Sequence, residues 1–515
     1  MELTPVSAPE LLIDASDSPE VQELKRRLHW ANLRIQVLEE KLRLQRIAKY
    51  GPASENLSNL QLQLLEDEPG VSSQEVQAEA GRDQDLSAKP RRTRRKHPGR
   101  QELPKDLPRV ERVIPVSSDE CNCAACGNET AVIGHESSEQ LDVEPARYFV
   151  LVTKREKRAC RQCSAGTVKT APVAPRIIEK GLVSDRIVVD TVVAKYSDHL
   201  PLYRQSVMLK RDAGVDIGRA TMAGWVMQVG ELLIPLVAAM RRNLLAGTYI
   251  QADETTVDVQ VPDKSGSNHQ AYLWQYGKPG GETVFDFRMG RSREGPRKFL
   301  GEFAGRLQTD GYAAYDKIGG KGMVHAACWA HARRKFTDAV KLNPAEAQAV
   351  QMVVRMDELF AIDAKARVEG YTLEQRHALR LEKAVPLLET LDKELKSIEL
   401  SALPASALGI AANYTRSLWT KLNQFLKYPE LELSTNLAEN SMRGVALGRK
   451  NWIHIGSEKA GPKVATILSV IESCKRLGIP SREYLADVLP GLARVSIQQL
   501  DSRTPTAWTA RRSRP

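Results

Sequence analysis

The sequence predicts a multidomain α+β protein. An N-terminal coiled coil, a zinc ribbon-like domain and a helical region precede an α/β sheet domain that carries a helical insertion. Three observations predict this order: apolar residues at a 3-4 spacing near the N-terminus, two Cys-x-x-Cys pairs in a short basic stretch, and strand patterns after residue 247 that give way to helical ones. With 515 residues, the chain has room for three or four domains of roughly 100–200 residues.

Composition limits the classes of partner and compartment. The net charge of +10 favours a polyanionic partner, either nucleic acid or an anionic membrane surface. No run approaches the roughly 20 uninterrupted apolar residues of a membrane span, and the first 20 residues are acidic, unlike a signal peptide. Seven cysteines are too few for a disulfide scaffold. We therefore expect a cytoplasmic protein without a membrane partner.

An apolar seam predicts that residues 1–65 form a coiled coil that joins protomers. It consists of Val21, Leu24, Leu28, Ala31, Ile35, Leu38 and Leu42. The alternative is an amphipathic helix that packs on the core of its own chain.

A disordered linker is predicted at 66–110, and it contains a basic segment at 89–100. The candidate contacts to DNA phosphates in that segment are Arg91, Arg92, Arg94, Arg95 and Lys96. The alternative is a solvated tail.

Two cysteine pairs predict a structural Zn²⁺ site in a ribbon-like domain at 111–178. The expected ligands are Cys123, Cys126, Cys160 and Cys163, with Cys121 as an alternative first ligand.

The helical region at 179–245 has the layout of a helix-turn-helix, with its turn at Gly214. Arg219 and Thr221, at the start of the second helix, are candidate DNA contacts. An ordinary helical hairpin predicts the same pattern.

Five strand-like runs follow residue 247, and they indicate an α/β sheet with antiparallel members. Asp253 lies in the first run and Asp310 ends the fourth. Burying such carboxylates costs free energy unless a cation neutralises their charge. A third acid, Glu439, is predicted on a helix capped by Thr435 or Asn436.

Several strings resemble the transposases of the insertion sequence 66 family: QADET, QTDGY, CWAHARRKF, NLAENSMRGVALGRKNW, AKYSDHLPLYRQ and LGIPSREYLADVL. The resemblance covers nearly the whole chain. It implies an RNase H-like catalytic domain at 246–343 and 431–478, a helical insertion at 344–430, and a C-terminal region at 479–515. Glu254 departs from the family pattern, which commonly has a second Asp there.

The resemblance also implies the chemistry. Asp253, Asp310 and Glu439 would form an Asp-Asp-Glu triad that binds two Mg²⁺ or Mn²⁺ ions, with Asp253 bridging them. The triad would nick transposon ends and then direct the freed 3′-hydroxyl into target DNA. The implied partners are transposon-end DNA, target DNA, further copies of the chain and the small accessory proteins that such elements encode, in the bacterial cytoplasm or nucleoid.

Other residues are candidates for supporting roles around the triad. Arg443, Arg449 and Lys450, on and after the Glu439 helix, are candidate phosphate contacts. His331 and Arg334 are candidates for ordering the site, although a purely structural histidine is an equal alternative. Trp452 is expected to pack, with stacking on a flipped base as the alternative.

Two other functions remain open at this point. A non-catalytic zinc-containing DNA-binding regulator would use the carboxylates as helix caps. A metal-dependent nuclease would share the site without strand transfer.

Overall fold

The computed structural model describes residues 148–158, 169–179, 181–261 and 268–512, with scattered positions between 18 and 35. The predicted linker with its basic segment, and the four predicted zinc ligands, lie outside these residues. The chain divides into two compact units, Met1–Leu86 with Thr153–Pro515, and Ser87–Val152. Only residues 148–152 of the second unit are described, and they are exposed.

Few positions of the predicted coiled coil are described. Those from 20 to 35 are helical, and Val21, Leu24, Leu28 and Ile35 expose their side chains. Leu38 and Leu42 lie outside the described residues. Pairing of two protomers through this seam therefore stays a prediction.

A two-stranded antiparallel ribbon, β1 (Lys157–Arg158) and β2 (Lys169–Thr170), precedes the helical region. Three helices follow: α1 (Asp185–Tyr196), α2 (Leu202–Ala213) and α3 (Arg219–Leu245). Gly214 ends α2 with a φ of +68°, a left-handed conformation that glycine adopts without a steric penalty. The helix, glycine turn and helix expected from the sequence are present.

Helix α3 is much longer than the predicted second helix of the pair. It is long and apolar enough to cross a membrane on length and composition alone, but half of its most apolar window is buried inside the protein. Among the described residues it is the one helix that passes this test. Val229, Leu233, Leu236 and Met240 are buried in the core.

One mixed five-stranded sheet follows. Its strands are β3 (Tyr249–Val259), β4 (His269–Gly277), β5 (Thr283–Arg288), β6 (Arg306–Gln308) and β7 (Val324–Ala326). Helix α4 (Glu294–Leu300) lies between β5 and β6 in the chain. The strand order is β5-β4-β3-β6-β7. β3, β4 and β5 pair antiparallel, whereas β6 pairs parallel with both β3 and β7. All five predicted strand runs are therefore strands, and β3 lies at the centre.

Helices fill the chain between β7 and the C-terminus. They are α5 (Trp329–Leu342), α6 (Ala347–Val368), α7 (Leu373–Leu379), α8 (Val385–Ser401), α9 (Ala407–Ser417), α10 (Trp419–Leu422), α11 (Asn436–Trp452), α12 (Gly461–Arg476), α13 (Ser481–Val488) and α14 (Pro505–Arg512). A π-helical turn, Arg380–Ala384, joins α7 to α8. Pro386 lies in the first turn of α8 directly after it, where its missing N–H is tolerated.

Two apolar cores hold these elements. The first joins β3, β4 and β5 to α1, α3, α12 and α13. The second joins α5, α6, α8 and α9 and extends to Tyr249 of β3. Helix α11 packs on β3, and α5 packs on α6 and α9. The helices between α5 and α11 therefore have a core of their own that meets the sheet at its centre.

A buried ion network links these helices to the segment that precedes α11. Asp363 of α6 accepts hydrogen bonds from Arg376 and Arg380, and Glu432 accepts from Arg367 and Arg376. Burial alone would raise the pKa of Asp363, but Arg380 and Arg376 outweigh it and hold that pKa well below its usual range. Asp363 therefore stays charged in the folded protein at any ordinary pH.

We expect Asp363→Asn to lower the free energy of unfolding by roughly 3–5 kcal/mol at pH 7, because it leaves the buried Arg380 without its counter-ion and Arg376 with Glu432 alone. The matched control is Asp392→Asn on α8, whose carboxylate pairs with Arg416 and Lys396 but is less buried. It should cost less than about 1 kcal/mol.

The pH dependence tests the same network. Because the folded pKa of Asp363 is depressed, its contribution is present above the unfolded value of about 3.9 and is lost as pH falls through the folded value. Urea denaturation should therefore show that the difference in the free energy of unfolding between wild type and Asp363→Asn is smaller at pH 3 than at pH 7. A difference that does not narrow, or that matches the control at pH 7, would contradict this account.

Candidate active site

The central strand β3 delivers Asp253 to one face of the sheet. Side chains alternate along a strand, so Ile250 and Ala252 enter the first core while Gln251 and Asp253 lie on the opposite face. The Gln251 amide donates to the carbonyl of Ser434 at 3.0 Å, just before α11. Asp253 is therefore half-buried on the face that α11 covers.

The parallel strand β6 brings Asp310 to the same sheet edge. Its register pairs Gln251 with Gln308; Asp253 follows Gln251 by two residues within β3, and Asp310 follows Gln308 by two residues in the loop after β6. Strands of one sheet lie roughly 4.8 Å apart. The Asp310 carboxylate accepts from the Tyr312 N–H at 2.8 Å, and its carbonyl accepts from the Tyr414 hydroxyl at 2.6 Å. This turn and helix α9 fix the Asp310 loop.

Glu439 lies in the first turns of α11, above the two aspartates. The helix begins at Asn436 with Thr435 at its N-cap, as predicted, but no side chain caps it. The sheet and α5 instead hold the segment that precedes α11. The Gln308 side-chain amide donates to the Glu432 carbonyl at 2.6 Å, and the backbone N–H of Trp329 donates to the Leu433 carbonyl at 2.8 Å.

The three carboxylates are close enough to repel one another. Burial, then the charges of Glu439, Glu254 and Asp310, raise the pKa of Asp253 to about 7. Among the described residues, no ion pair joins Asp253 or Asp310 to a basic side chain. A strongly perturbed pKa at a carboxylate beside other carboxylates is a feature of functional sites.

Glu439 is held by the two α5 residues that the sequence marked as site support. His331 Nε2 lies 3.4 Å from Glu439 Oε1, and Arg334 lies 3.2 Å from Glu439 Oε2. Burial lowers the pKa of His331, but Cys328 and Glu439 outweigh it and raise that pKa to about 9. His331 is therefore a cation at neutral pH and orders Glu439.

The donors fit a hard divalent cation in chemistry. Carboxylate oxygen is the ligand type that Mg²⁺ and Mn²⁺ prefer, and Glu439 Oε1 is buried without a hydrogen-bond partner. Within the described part of the chain, however, no three His, Cys, Asp or Glu side chains stand close enough together to hold one ion. Glu439 instead pairs with His331 and Arg334 of α5.

The predicted phosphate contacts differ in their surroundings. Arg449 donates to Thr255 and to the Thr256 carbonyl, so it ties α11 to β3. Arg443 is half-buried and Lys450 is exposed on the same helix. In the helical region, Arg219 and Thr221 are exposed at the start of α3, a position open to DNA. Lys96 and the four arginines before it lie outside the described residues.

Sequence reasoning missed the partners of Glu254. Arg291 donates two hydrogen bonds to the Glu254 carboxylate, and the Tyr315 hydroxyl donates to the same carboxylate at 3.0 Å. The Arg291 guanidinium also stacks on Tyr312, 4.0 Å from the ring centroid. These contacts connect β3 to the Asp310 loop. The one available signal was that Glu254 directly follows Asp253.

Family models match three stretches of the chain. "Transposase IS66 family" matches residues 180–463, which is more than half of the chain. "Zinc-finger binding domain of transposase IS66" matches residues 120–164, and "Transposase C of IS166 homeodomain" matches residues 37–112. The last match crosses the boundary that the sequence predicts between coiled coil and linker.

The chain is also similar to proteins of Sinorhizobium fredii (strain NBRC 101917 / NGR234). The uncharacterised protein y4qI is 32% identical over 93% of this chain and 90% of its own length. The uncharacterised proteins y4hP and y4jD are 30% and 33% identical, over 92% and 79% of this chain and 88% and 82% of their own lengths. These matches confirm the resemblance found in the sequence: the chain belongs to the IS66 family of transposases.

Proposed function

We propose that the chain is an active DNA transposase that cleaves transposon ends and joins the freed 3′-hydroxyl to target DNA. The observation that carries this proposal is the arrangement of the carboxylates: Asp253 lies on β3, Asp310 lies in the loop directly after the adjacent parallel strand β6, and Glu439 of α11 acts electrostatically on Asp253. The RNase H-like fold is part of the proposal. Three antiparallel strands followed by two parallel ones, with Asp253 on the central strand and Asp310 just after the neighbouring parallel strand, support it.

Asp253, Asp310 and Glu439 would together hold two Mg²⁺ or Mn²⁺ ions. Such a metal pair activates the attacking oxygen of a phosphodiester displacement and stabilises the leaving oxygen. His331 and Arg334 hold the Glu439 side chain near the site. Arg443 and Lys450 of α11 lie where they can pair with phosphates of bound DNA.

The regulator alternative is less well supported. It requires the carboxylates to be helix caps, yet Asp253 lies within an eleven-residue strand and Glu439 lies inside α11. The nuclease alternative uses the same carboxylates. It is separated from a transposase only by testing for strand-transfer products.

We also propose that Cys123, Cys126, Cys160 and Cys163 bind one structural Zn²⁺ ion. All four lie in the stretch that matches the zinc-finger model. A tetrahedral thiolate site of this kind provides much of the folding free energy of a small domain. The accessory proteins remain proposed partners.

One N-terminal feature supports an assembly that holds two DNA ends. The exposed apolar side chains of Val21, Leu24, Leu28 and Ile35 are suited to pairing with a second protomer. Pairing would bring two catalytic domains and two basic segments to one complex.

The first test of this function concerns the triad. We expect Asp253→Asn, Asp310→Asn and Glu439→Gln each to reduce Mg²⁺-dependent cleavage of a transposon-end duplex by more than the roughly 10–100-fold that loss of an outer-shell partner costs, since each removes a metal ligand. End binding, measured by gel shift, should remain within a few-fold of wild type. Asp258→Asn, an exposed position on the same strand, is the control and should cleave normally.

A triad variant that cleaves at the wild-type rate would remove that residue from the site. Wild-type protein that nicks the duplex but never joins it to target DNA would favour the nuclease alternative.

The second test concerns residues 1–100. A chain without them should bind end DNA more weakly and with a shallower logarithmic salt dependence, because each lost phosphate contact removes about 0.9 from the slope on duplex DNA. Its sedimentation mass should fall to that of one protomer. A full-length variant with Arg91, Arg92, Arg94 and Arg95 changed to Gln should show the shallower slope and keep the wild-type mass. An unchanged slope in both would mean that the basic segment does not touch DNA.

A further inference from the structure

A cavity of about 400 Å³ lies at the end of α11 that is farther from Glu439. Its volume is within the roughly 300–1,000 Å³ range of small-molecule sites. Residues of α1, of α3, of the loop after α11 and of the start of α12 form its walls; those that carry the argument are Lys195, Met227, Trp452, His454, Lys459 and Lys463. The cavity therefore joins the helical region to the helix that carries Glu439.

Trp452, the last residue of α11, provides an aromatic wall. It is half-buried and packs against the first core. Gly448 lies one turn earlier, and a Cβ atom at that position would come within 2.5 Å of Trp452 Nε1. Glycine at 448 thus lets the indole lie against the helix and line the cavity.

Lys195 contributes a cation without a counter-ion. Its Nζ lies 5.3 Å from the ring centroid of Tyr196 and 5.9 Å from that of Trp452. Burial lowers the pKa of Lys195 to about 8, and no described carboxylate pairs with it. Lys463, by contrast, pairs with Glu231. A partly desolvated ammonium group of this kind is stabilised by an anion such as a phosphate.

The backbone beside the cavity is strained. Ile453, next to Trp452, has a φ of +64° although it is β-branched, and 64% of it is exposed. This conformation is a genuine outlier for such a residue. The loop is held in place because the Ile455 N–H donates to the Asp258 carbonyl at 2.8 Å and the Gln260 N–H donates to the Ile455 carbonyl at 2.9 Å. Strained backbone conformations that the surrounding structure maintains cluster at ligand-binding sites.

The distance from the carboxylates suits a DNA ligand. Trp452 follows Glu439 by thirteen residues of helix, which is about 20 Å at 1.5 Å per residue. Duplex DNA covers that length in about six base pairs at 3.4 Å each. Arg443 and Lys450 lie on α11 between the two points, so a duplex cut at the carboxylates and running along this helix reaches the cavity.

We propose that the cavity holds one nucleotide extruded from the bound DNA duplex, with its base on the Trp452 indole and its phosphate at Lys195. An apolar, aromatic cavity accepts any base because every base has a π-face, and stacking of this type is a general means of binding unpaired nucleotides. The proposal rests on the proposed function only in taking DNA as the substrate. It adds a site that binds one DNA strand about six base pairs from the cleavage position.

The test compares affinities for end duplexes that differ by one mismatch. The probes are 40-base-pair duplexes with the terminal inverted repeat of the element that carries this gene, each mismatched at one position from three to nine base pairs from the cut. An unpaired base costs less to extrude, so wild-type protein should bind one of them about tenfold more tightly than the paired duplex. Trp452→Ala and Lys195→Met should each lose that preference.

Three further variants separate the cavity from general effects on folding or charge. Trp452→Phe keeps an aromatic face and should keep most of the preference. Gly448→Ala should reduce it, because the new methyl group displaces the indole. Lys393→Met removes an exposed positive charge on α8 and should leave the preference unchanged.

Wild-type protein that binds and cleaves the paired duplex but shows no preference at any position would overturn the cavity proposal and leave the proposed function intact. A preference that survives in Trp452→Ala would also overturn it. Absence of end cleavage by wild-type protein, with the mismatch preference present, would contradict the proposed function alone.

Discussion

A buried polar cluster at the centre of the sheet fixes the position of the Glu439 helix relative to the two aspartates. Gln251 donates to the Tyr249 hydroxyl at 2.8 Å and to the Ser434 carbonyl at 3.0 Å. Gln308 donates to the Glu432 carbonyl, and the Glu432 N–H donates to the Tyr249 hydroxyl at 3.2 Å. Because unsatisfied polar groups in this position would be costly, the cluster forms only when β3, β6 and the segment before α11 are all in register.

The ion network of the inserted helices acts on the same short segment from the other side. The backbone of Glu432 is held by the sheet, while its side chain accepts from Arg367 and Arg376, which also contact Asp363. The helices between α5 and α11 thus do more than lengthen the chain between Asp310 and Glu439. They anchor the start of the helix that carries the third carboxylate, and α5 adds the direct contacts of His331 and Arg334.

Local pattern predicted much of the fold. Strand-like runs predicted the strands, Gly214 predicted the turn before α3, and the family strings identified Asp253, Asp310 and Glu439, of which the last two act electrostatically on Asp253. What the sequence could not provide are pairings between distant positions. The bonds from Arg449 to Thr256 and from Arg291 to Glu254 join residues 193 and 37 positions apart, and they depend on how α11 and the β5–α4 loop meet β3. The absence of a capping side chain at Thr435 has the same origin, because tertiary contacts already hold that end of α11.

The central claim is that Asp253, Asp310 and Glu439 form one metal site although Glu439 now pairs with α5. Titration of the full chain with Mn²⁺, followed by loss of the free-ion electron paramagnetic resonance signal, tests it most directly. The account predicts that Asp253→Asn weakens Mn²⁺ binding by more than about tenfold, the lower end of the cost of losing even an outer-shell partner, while Asp258→Asn on the same strand binds as wild type does. Identical Mn²⁺ titrations for wild type and Asp253→Asn would contradict it.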